Sequence, residues 1–518
     1  MEKKTKIIAT VGPNTGTKQK IEQLIKAGAN GIRLNFSYGN HAEMKKIIDA
    51  VRSIEKKLKM PISIIADIQG RKIRIGKLSQ NILLKKGQKV LLVSENTYEN
   101  SIKKEQQNKK ALIKKFSEKQ SWFQKTPIIL PIDLPHIENI LETGYEILID
   151  NGEIELKVLK THANGIETEV ITAGTVRSNK GVNIPALQIK TAPLGKKDIE
   201  DTYFALKNGV HYIALSFTET ADDIIQLKKL IEQQENQHPT KLAQLYEDTK
   251  TTEAYRTHVI GKIERRAALK HFDEILDVAD GIMVARGDLG IEVPLENVPL
   301  IQKYITQKCN AYGKPCIIAT QMLESMIENP TPTRAEVSDV ANAVLDGADA
   351  LMLSGETAVG KYPVKSVQIM STVAKKMEPT LMKNDADPII AKHRKSMNIT
   401  EAISQATYKI AEQINAKAIM CITNSGFTAR TIGRFKPKIP IYAITPSKKT
   451  EHELMLSWGI KPYLLPFSSS LENVIHESIE HLKKLKLIQK NDKVIIAAGY
   501  SKLYKIKRSN VIKVHIVH

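Results

Sequence analysis

The sequence predicts an α/β protein: a (β/α)₈ TIM barrel that carries an inserted all-β lid domain and is followed by a C-terminal α/β domain. Three observations lead to this prediction. Eight short apolar segments, rich in β-branched residues, alternate with segments of helical periodicity. A run of short strands and turns interrupts this alternation once. After about residue 385 a second strand and helix series begins.

The eight barrel strands are predicted from the apolar segments. They are KIIATV (6–11), GIRLNF (31–36), ISIIADI (62–68), YIALSF (212–217), HVIGKIE (258–264), GIMVAR (281–286), PCIIAT (315–320) and DALMLS (349–354). Helical periodicity predicts helices over 17–29, 41–58, 219–234, 266–277, 296–312 and 334–346. Strands that alternate with helices form parallel βαβ units, and eight such units close a barrel.

The interruption predicts a lid. Its strand segments are KVLLV, PIILPI, YEILIDNGEIELKVL and GIETEVITAG, and the insert leaves and rejoins the barrel at one edge. The C-terminal strands are predicted at AIMCIT (418–423), IYAIT (441–445), YLLPF (463–467), KVIIAA (493–498) and VIKVHIV (511–517). The predicted division is 1–74 and 191–385 for the barrel, 75–190 for the lid and 386–518 for the C-terminal domain.

Composition narrows the class of protein. The chain has 518 residues, of which 42% are hydrophobic, and no apolar run approaches the 18 or so residues of a membrane helix. Cys309, Cys316 and Cys421 form neither a CxxC pair nor a disulfide framework. The first apolar run is short and ends at Gly12-Pro13, which predicts a strand and not a signal peptide. We therefore expect a cytoplasmic protein without a membrane partner.

The net charge of +21 is compatible with nucleic acid or with smaller anionic ligands. Residues 103–125 hold eight lysines against two glutamates. No zinc-finger spacing, RNA-binding aromatic pair or basic heptad accompanies them. We interpret this segment as a solvated surface excursion and expect no nucleic-acid partner.

Polar residues cluster where the predicted barrel strands end. They are Arg33, Asn35 and Ser37 on strand two, Asp67 on strand three, Lys262 and Glu264 on strand five, Arg286, Gly287 and Asp288 on strand six, Thr320 and Gln321 on strand seven, and Ser354, Gly355 and Glu356 on strand eight. A cap or a surface group would explain any one of them. Six strand ends at one barrel face predict a catalytic site.

Lys262 and Glu264 are two residues apart on one strand, so their side chains point the same way. With Asp288 they place a lysine beside two carboxylates, which resembles a charge-balanced metal site. Two acidic ligands with water and substrate oxygens suit Mg²⁺. A structural ion pair between Lys262 and Glu264 is the alternative. Gly287 lets the backbone approach a ligand, and its amides can bind an anion.

Longer segments resemble the pyruvate kinase family. They are TKIIATVGP (5–13), GIRLNFSYG (31–39), NKGVNIP (179–185), GKIE (261–264), VARGDLGIEVP (284–294), ATQMLESM (319–326) and SDVANAVLDGADALMLSGETAVGKYP (338–363). The resemblance covers nearly the whole chain. It implies phosphoryl transfer from phosphoenolpyruvate to ADP, which gives pyruvate and ATP, with Mg²⁺ as cofactor.

The resemblance also implies roles for individual residues. Glu264 and Asp288 take the Mg²⁺ positions. Lys262 stabilises charge on the phosphoryl group and the enolate, and Arg33 holds the phosphoryl group.

For the rest of the substrate, the backbone at Gly287 and Asp288, with Thr320, holds the carboxylate. A relay near Thr320, Ser354 and Glu356 protonates the enolate, although the residues leave the donor open among the three. Asn35, Arg74 and the lid residue Lys180 contact the nucleotide, and lid closure excludes water.

The segment ADIQGRKIR (66–74) bears on potassium. In the family, Asn35, Ser37, Asp67 and the carbonyl of Ile68 form a monovalent-cation site. K⁺-requiring members resemble Thr-Lys-Gly-Pro-Glu after the aspartate, and a K⁺-independent group resembles Leu-Gln-Gly-Pro-Lys. The run Ile68-Gln69-Gly70-Arg71-Lys72 is similar to the second group.

The resemblance thus implies that the Lys72 ammonium stands near Asp67 in place of K⁺ and that K⁺ is not required. A solvated surface charge is the alternative for Lys72. Arg71 fits neither group, and without proline the turn is less rigid.

The C-terminal domain resembles the family's effector domain. Thr423, Ser425, Gly426 and Thr428 match its phosphate loop and imply a sugar-phosphate effector. The loop 499–510 lacks the usual glycines and is basic, and Tyr38 replaces a frequent histidine. Retention of the whole domain implies a homotetramer.

Two other functions would account for part of the sequence. A Mg²⁺-dependent carbon–carbon lyase would explain Glu264 and Asp288 but not Arg33 or the lid motif. A nucleic-acid-binding protein would show salt-sensitive binding without phosphoryl transfer.

Overall fold

The computed structural model describes residues 2–98, 128–163, 165–187, 194–237, 256–382, 398–468, 470–498 and 511–518. The lysine-rich segment 103–125 and the basic loop 499–510 lie outside the described residues, as does most of the polar segment 235–258.

The chain opens with three barrel strands and two helices. These are β1 (Lys6–Val11), α1 (Lys18–Ala27), β2 (Gly31–Asn35), α2 (His41–Leu58) and β3 (Ser63–Ile68). Asn40 starts α2 with a capping box, in which its side chain accepts from the Glu43 amide and the Glu43 carboxylate accepts from the Asn40 amide. Arg33 of β2 and Asp67 of β3 lie toward the carboxyl ends of these two neighbouring parallel strands.

The described residues of the insert form nine strands in two sheets. They are β4 (Ile73–Arg74), β5 (Ile82–Leu84), β6 (Lys89–Ser94), β7 (Ile128–Ile132), β8 (Glu146–Ile149), β9 (Ile154–His162), β10 (Gly165–Thr172), β11 (Gly174–Val176) and β12 (Gly181–Asn183), with a 3-10 turn at Ile137–Asn139. The larger sheet has the order β4-β12-β8-β9-β10-β6-β7, and β11 pairs with β5. Alternate apolar residues of these strands form a separate core.

The barrel resumes with five strands and the helices between them. The elements are α3 (Lys196–Lys207), β13 (Tyr212–Leu215), α4 (Ala221–Gln237), β14 (His258–Ile263), α5 (Arg266–Lys270), α6 (Phe272–Val278), β15 (Gly281–Ala285), α7 (Arg286–Glu292), α8 (Val298–Tyr312), β16 (Cys316–Ala319), α9 (Arg334–Leu345), β17 (Ala350–Leu353), α10 (Gly355–Ala358) and α11 (Pro363–Leu381), with 3-10 turns at Leu295–Asn297 and Glu324–Ile327. The eight strands close in the order β1-β17-β16-β15-β14-β13-β3-β2.

The barrel strands are buried on both faces, which explains their unbroken apolar character. Ile8, Ile65, Tyr212, Ile260 and Met283 pack inside the barrel. The residues between them in sequence pack against the surrounding helices. Two long helices, α3 and α11, were not among the predicted segments, and Arg286, Gly287 and Asp288 begin helix α7.

The described residues of the C-terminal part form a five-stranded sheet with four helices. The elements are α12 (Ile399–Gln413), β18 (Ala418–Ile422), α13 (Phe427–Gly433), β19 (Ile441–Thr445), α14 (Lys448–Glu453), β20 (Ile460–Leu464), α15 (Leu471–Lys484), β21 (Lys493–Ala498) and β22 (Val511–Ile516), with a 3-10 turn at Leu454–Leu456. The order is β20-β19-β18-β21-β22, and only β22 is antiparallel to its neighbour.

The strand predicted at 463–467 is wrong by three residues. Strand β20 begins at Ile460, directly after Gly459, whose φ of +67° suits glycine. Pro462 lies inside it, because β20 is an edge strand whose outer side needs no amide donor.

The predicted fold class is confirmed: a closed eight-stranded barrel, a β insert and a C-terminal α/β domain. The boundaries at 74, 190 and 385 stay predictions, and Ile73 and Arg74 pair with β12 of the insert. Within the described ranges, the structure contains no helix with the length and apolar character that crossing a membrane requires.

Asp280 gives the fold a testable pH dependence. Its carboxylate accepts hydrogen bonds from Lys228 Nζ and from the Val259 amide, both at 2.8 Å. Burial alone would raise the pKa of Asp280, but His258 and Lys228 outweigh it and hold the pKa below its usual value. The stability from this carboxylate is therefore complete above the unfolded-state pKa and is lost as pH falls through the folded-state pKa.

We expect Asp280→Asn to lower the unfolding free energy by about 1–3 kcal/mol at pH 7, and the deficit to shrink below about pH 4. Thermal unfolding at both pH values measures it. The control is Asp277→Asn, which changes an exposed carboxylate. A deficit that is the same at both pH values would contradict the role given to the Asp280 charge.

Candidate active site

A buried carboxylate lies at the centre of the barrel's carboxyl end. Asp67, at the end of β3, is 1% exposed. Its Oδ2 is 2.7 Å from Arg33 Nε, and its Oδ1 is 3.2 Å from Lys262 Nζ. Asp67 therefore bridges two cations that come from β2 and β14.

Lys262 is surrounded by oxygen atoms. Besides Asp67, its Nζ lies 2.8 Å from Ser216 Oγ and 2.9 Å from Glu264 Oε1. Ser216 Oγ in turn donates to the Ile68 carbonyl at 2.7 Å. The alternation of side chains along β14 does bring Lys262 and Glu264 together, and the side chains of both are less than 10% exposed.

The two charge signs stabilise each other. Burial would raise the pKa of Asp67, but Lys262 and Arg33 outweigh it and lower that pKa. Burial would lower the pKa of Lys262, but Asp67 and Glu264 outweigh it and raise that pKa. Lys262 is thus a permanent cation in a site from which water is largely excluded.

Glu264 is held by a strained backbone. The Phe217 amide donates to Glu264 Oε2 at 2.6 Å, and Phe217 has a φ of +55°. A left-handed conformation is costly for a phenylalanine, so the surrounding structure must impose it. Ser216 and Phe217 were not among the predicted site residues, although they directly follow strand β13 as other site residues follow theirs.

Lys72, which the sequence predicted to stand near Asp67, has Asp288 as its carboxylate partner. Its Nζ lies 3.2 Å from Asp288 Oδ1 and 5.3 Å from the centre of the Phe217 ring. The Lys72 side chain passes so close to Gly181 that a Cβ there would lie 2.5 Å from Lys72 Cε. Asp67 already has Arg33 and Lys262 as partners.

Gly287 and Thr320 form a small polar recess. The Gly287 amide donates to Thr320 Oγ1 at 2.7 Å. Thr320 has a φ of +66°, and Arg286 holds this turn by donating to the Thr320 carbonyl at 2.9 Å. Arg286 is itself paired with Asp339 at 2.7 Å.

Glu264 and Asp288 fit a divalent cation. Burial raises the pKa of Glu264, Lys262 opposes the rise, and the nearby charge of Asp288 adds to it. Two carboxylates that repel each other can be neutralised by a cation between them. Over the described ranges no group of three or more metal-ligating side chains occurs, so substrate and water oxygens would complete the shell, as Mg²⁺ prefers.

Ser354 and Glu356 lie at the end of β17. The Glu356 carboxylate accepts from the Leu323 amide at 3.0 Å and the Ser354 amide at 2.7 Å. Burial raises the pKa of Glu356. Ser354 Oγ is buried and has no hydrogen-bond partner among the described residues.

The predicted nucleotide contacts fall in two places. Asn35 pairs in register with Asp67 in the barrel and accepts from the Ser37 amide at 3.1 Å. Arg74 and Lys180 lie on adjoining lid segments, where Arg74 donates to the Asn179 carbonyl at 3.0 Å and Lys180 pairs with Asp150 at 2.7 Å. Tyr38 is exposed.

The predicted effector loop is a tight turn ahead of α13. The Gly426 amide donates to Thr423 Oγ1 at 2.9 Å, and Gly426 has a φ of +75°. The Ser425 carbonyl accepts from Arg430 at 3.1 Å, and Thr428 is buried.

Comparisons with known proteins agree on one family. A family model described as "Pyruvate kinase, barrel domain" matches residues 2–367, and one described as "Pyruvate kinase, alpha/beta domain" matches residues 401–515. The chain is 38% identical to a pyruvate kinase of Sporosarcina psychrophila over 99% of this chain and 80% of that one. It is 35% identical to one of Clostridium acetobutylicum over 99% of both. The crystal structure of a pyruvate kinase from Cryptosporidium parvum superposes with a TM-score of 0.84 at 32% identity, covering 100% of this chain and 96% of that one.

Proposed function

The chain belongs to the pyruvate kinase family and is a phosphotransferase, and we propose that it transfers the phosphoryl group of phosphoenolpyruvate to ADP in a Mg²⁺-dependent reaction that yields pyruvate and ATP. The observation that carries this proposal is the position of Lys262, whose ammonium lies within 3.2 Å of Asp67, Ser216 and Glu264. A fixed cation of this kind suits a reaction that leaves negative charge on an enolate.

Arg33 and Lys262 bind the phosphoryl group. Asp67 holds both cations in place, so they need little reorganisation when charge shifts from the substrate phosphate to the enolate oxygen. Glu264 and Asp288 hold Mg²⁺, which when bound offsets charge on the transferring group.

The substrate carboxylate binds at the backbone of Gly287 and Asp288 and at Thr320. Helix α7 begins at Arg286, so amides at its start point toward an anion. The arrangement of Arg286 against the Thr320 and Gln321 carbonyls keeps this recess open.

Protonation of the enolate uses a relay through Thr320, Ser354 and Glu356. Two features support it. The Ser354 hydroxyl is buried without a partner among the described residues, and burial raises the pKa of Glu356, which is the direction that a proton-donating carboxyl needs.

The nucleotide is bound by Asn35 from the barrel and by Arg74 and Lys180 from the lid. Asn183 of the lid donates to Glu292 of α7 at 2.9 Å, which brings the lid over the barrel's carboxyl end. A closed lid excludes water and favours transfer to ADP over hydrolysis.

The reaction needs no K⁺. Of the four residues described for the cation site (Asn35, Ser37, Asp67 and the Ile68 carbonyl), Asp67 is contacted by the Lys262 ammonium, and Lys72 supplies a second ammonium group at Asp288, outside those four residues. The loop at Thr423, Ser425, Gly426 and Thr428 takes a sugar-phosphate effector, and the assembly is a homotetramer; both extend the family resemblance.

Replacing Lys262 tests the proposed chemistry. Pyruvate formation from phosphoenolpyruvate should require both ADP and Mg²⁺, and Lys262→Met should lower kcat by about 10²–10³-fold, because the charge on the enolate loses its fixed cation. Lys229→Met, which removes an exposed lysine of α4, is the control and should retain full activity.

Pyruvate release that does not need ADP would favour the lyase chemistry and contradict the phosphotransfer assignment. Thermal melting of each variant separates loss of chemistry from loss of fold.

Activity without potassium tests the role of Lys72. With tetramethylammonium as the only added monovalent cation, we expect activity within about twofold of that with K⁺. The activity of Lys72→Met should be about tenfold below that of the parent in the absence of K⁺, and added K⁺ should restore part of this activity. Lys77→Met, an exposed lysine five residues on, is the control. A parent enzyme that works only with K⁺ would overturn the role given to Lys72.

A further inference from the structure

The turn that carries Lys72 has an unusual means of support. It leaves β3 after Ile68 and bends at Gly70, whose φ is +63°. A Cβ at Gly70 would lie 2.3 Å from the Ser216 carbonyl oxygen, so the turn is pressed against the segment that holds Lys262 and Glu264.

Three successive barrel helices tie this turn down near their first residues. The Gly70 amide donates to Asp198 Oδ1 of α3 at 2.9 Å. Arg71 Nη2 lies 3.4 Å from Asp223 Oδ1 of α4. Arg265, which precedes α5, donates from Nη2 to the Arg71 carbonyl at 3.0 Å.

The arginines and carboxylates form one charge-balanced cluster. Arg265 also pairs with Glu219, and Asp223 Oδ2 accepts from the Glu219 and Thr220 amides at 2.8 and 2.9 Å. The side chains of Arg71 and Asp223 are 17% and 11% exposed, so solvent screens their pair only weakly.

The cluster reaches the active site through Phe217. Both Arg265 and Lys72 lie close to the Phe217 ring: Arg265 Cζ is 5.1 Å from the ring centre and Lys72 Nζ is 5.3 Å from it. The same residue gives its amide to Glu264. A shift of the turn would therefore move Lys72 away from Asp288 and loosen the packing around Phe217.

We propose that Arg71 is a positioning residue that acts through the Arg71–Asp223–Glu219–Arg265 cluster to hold the 69–72 turn with Lys72 against Asp288. It does so with charge, where a proline would act by fixing a backbone dihedral. Lys72 contacts Asp288 of the proposed substrate site, whereas the Arg71 contacts described above are to Asp223 and Arg265. The effect on catalysis rests on the proposed function, but the effect on the turn does not.

The test compares Arg71→Ala, Asp223→Asn and the double variant with the parent enzyme. Asparagine at 223 keeps an oxygen for the amides at the start of α4. We expect each single variant to raise the KM for phosphoenolpyruvate about tenfold with kcat changed less than about threefold, because Lys262 lies outside the turn. The KM of the double variant should rise by no more than the larger of the two single-variant increases, since the two residues form one unit. Arg71→Lys, which keeps a cation, should stay within about threefold of the parent.

Hydrogen exchange supplies a readout that does not depend on activity. The amides of 69–72 should exchange about tenfold faster in Arg71→Ala than in the parent. Arg266→Ala is the matched control, because it removes an exposed arginine beside Arg265 that lies outside the cluster.

A parent without pyruvate formation, together with faster exchange in Arg71→Ala, would overturn the proposed function and support the positioning role. An active parent whose KM and exchange are unchanged in Arg71→Ala would overturn the positioning role. So would multiplicative losses in the double variant, or an equal effect of Arg266→Ala.

Discussion

The site depends on one buried carboxylate, Asp67. An isolated charge in so dry a place would be unstable, and its two cationic partners supply the compensation. The same contacts bring Arg33 of β2 and Lys262 of β14 toward one point, although the two strands are not neighbours in the barrel. The parallel strands determine the backbone position of each residue, and the contacts with Asp67 determine where the charged groups of Arg33 and Lys262 lie.

Around this carboxylate the charges alternate in sign. Asp67, Lys262 and Glu264 follow one another at hydrogen-bond distances, and Lys72 and Asp288 form a second pair. Assembling such a network costs free energy of desolvation, and breaking it leaves buried charges unpaired. The network is therefore rigid. Rigidity is what electrostatic stabilisation of a transition state needs, because dipoles and charges that are already in place require no further reorganisation. The ion pairs behind the 69–72 turn extend this rigidity outward to three barrel helices.

Local sequence rules were sufficient to predict part of the fold and part of the candidate site. The eight strands followed from apolar runs, and the side-chain alternation along a strand was enough to place Lys262 beside Glu264. Non-local packing decided the rest. The partner of Lys72 depends on the space left by Gly181, more than a hundred residues away, and on the bend at Gly70. The role of Phe217 depends on its left-handed backbone conformation, which a phenylalanine in a sequence does not predict. The edge strand containing Pro462 was misplaced because its position at the sheet edge is a property of the whole sheet.

The most direct test of this account is the catalytic rate of Asp67→Asn, measured with saturating phosphoenolpyruvate, ADP and Mg²⁺ alongside its thermal melting curve. Asparagine keeps the size of the side chain and removes the charge that holds Arg33 and Lys262 together. We predict a fall in kcat of about hundredfold or more in a protein that still melts cooperatively, because the two cations lose their common anchor. A folded variant with kcat within about threefold of the parent would contradict the central position given to Asp67.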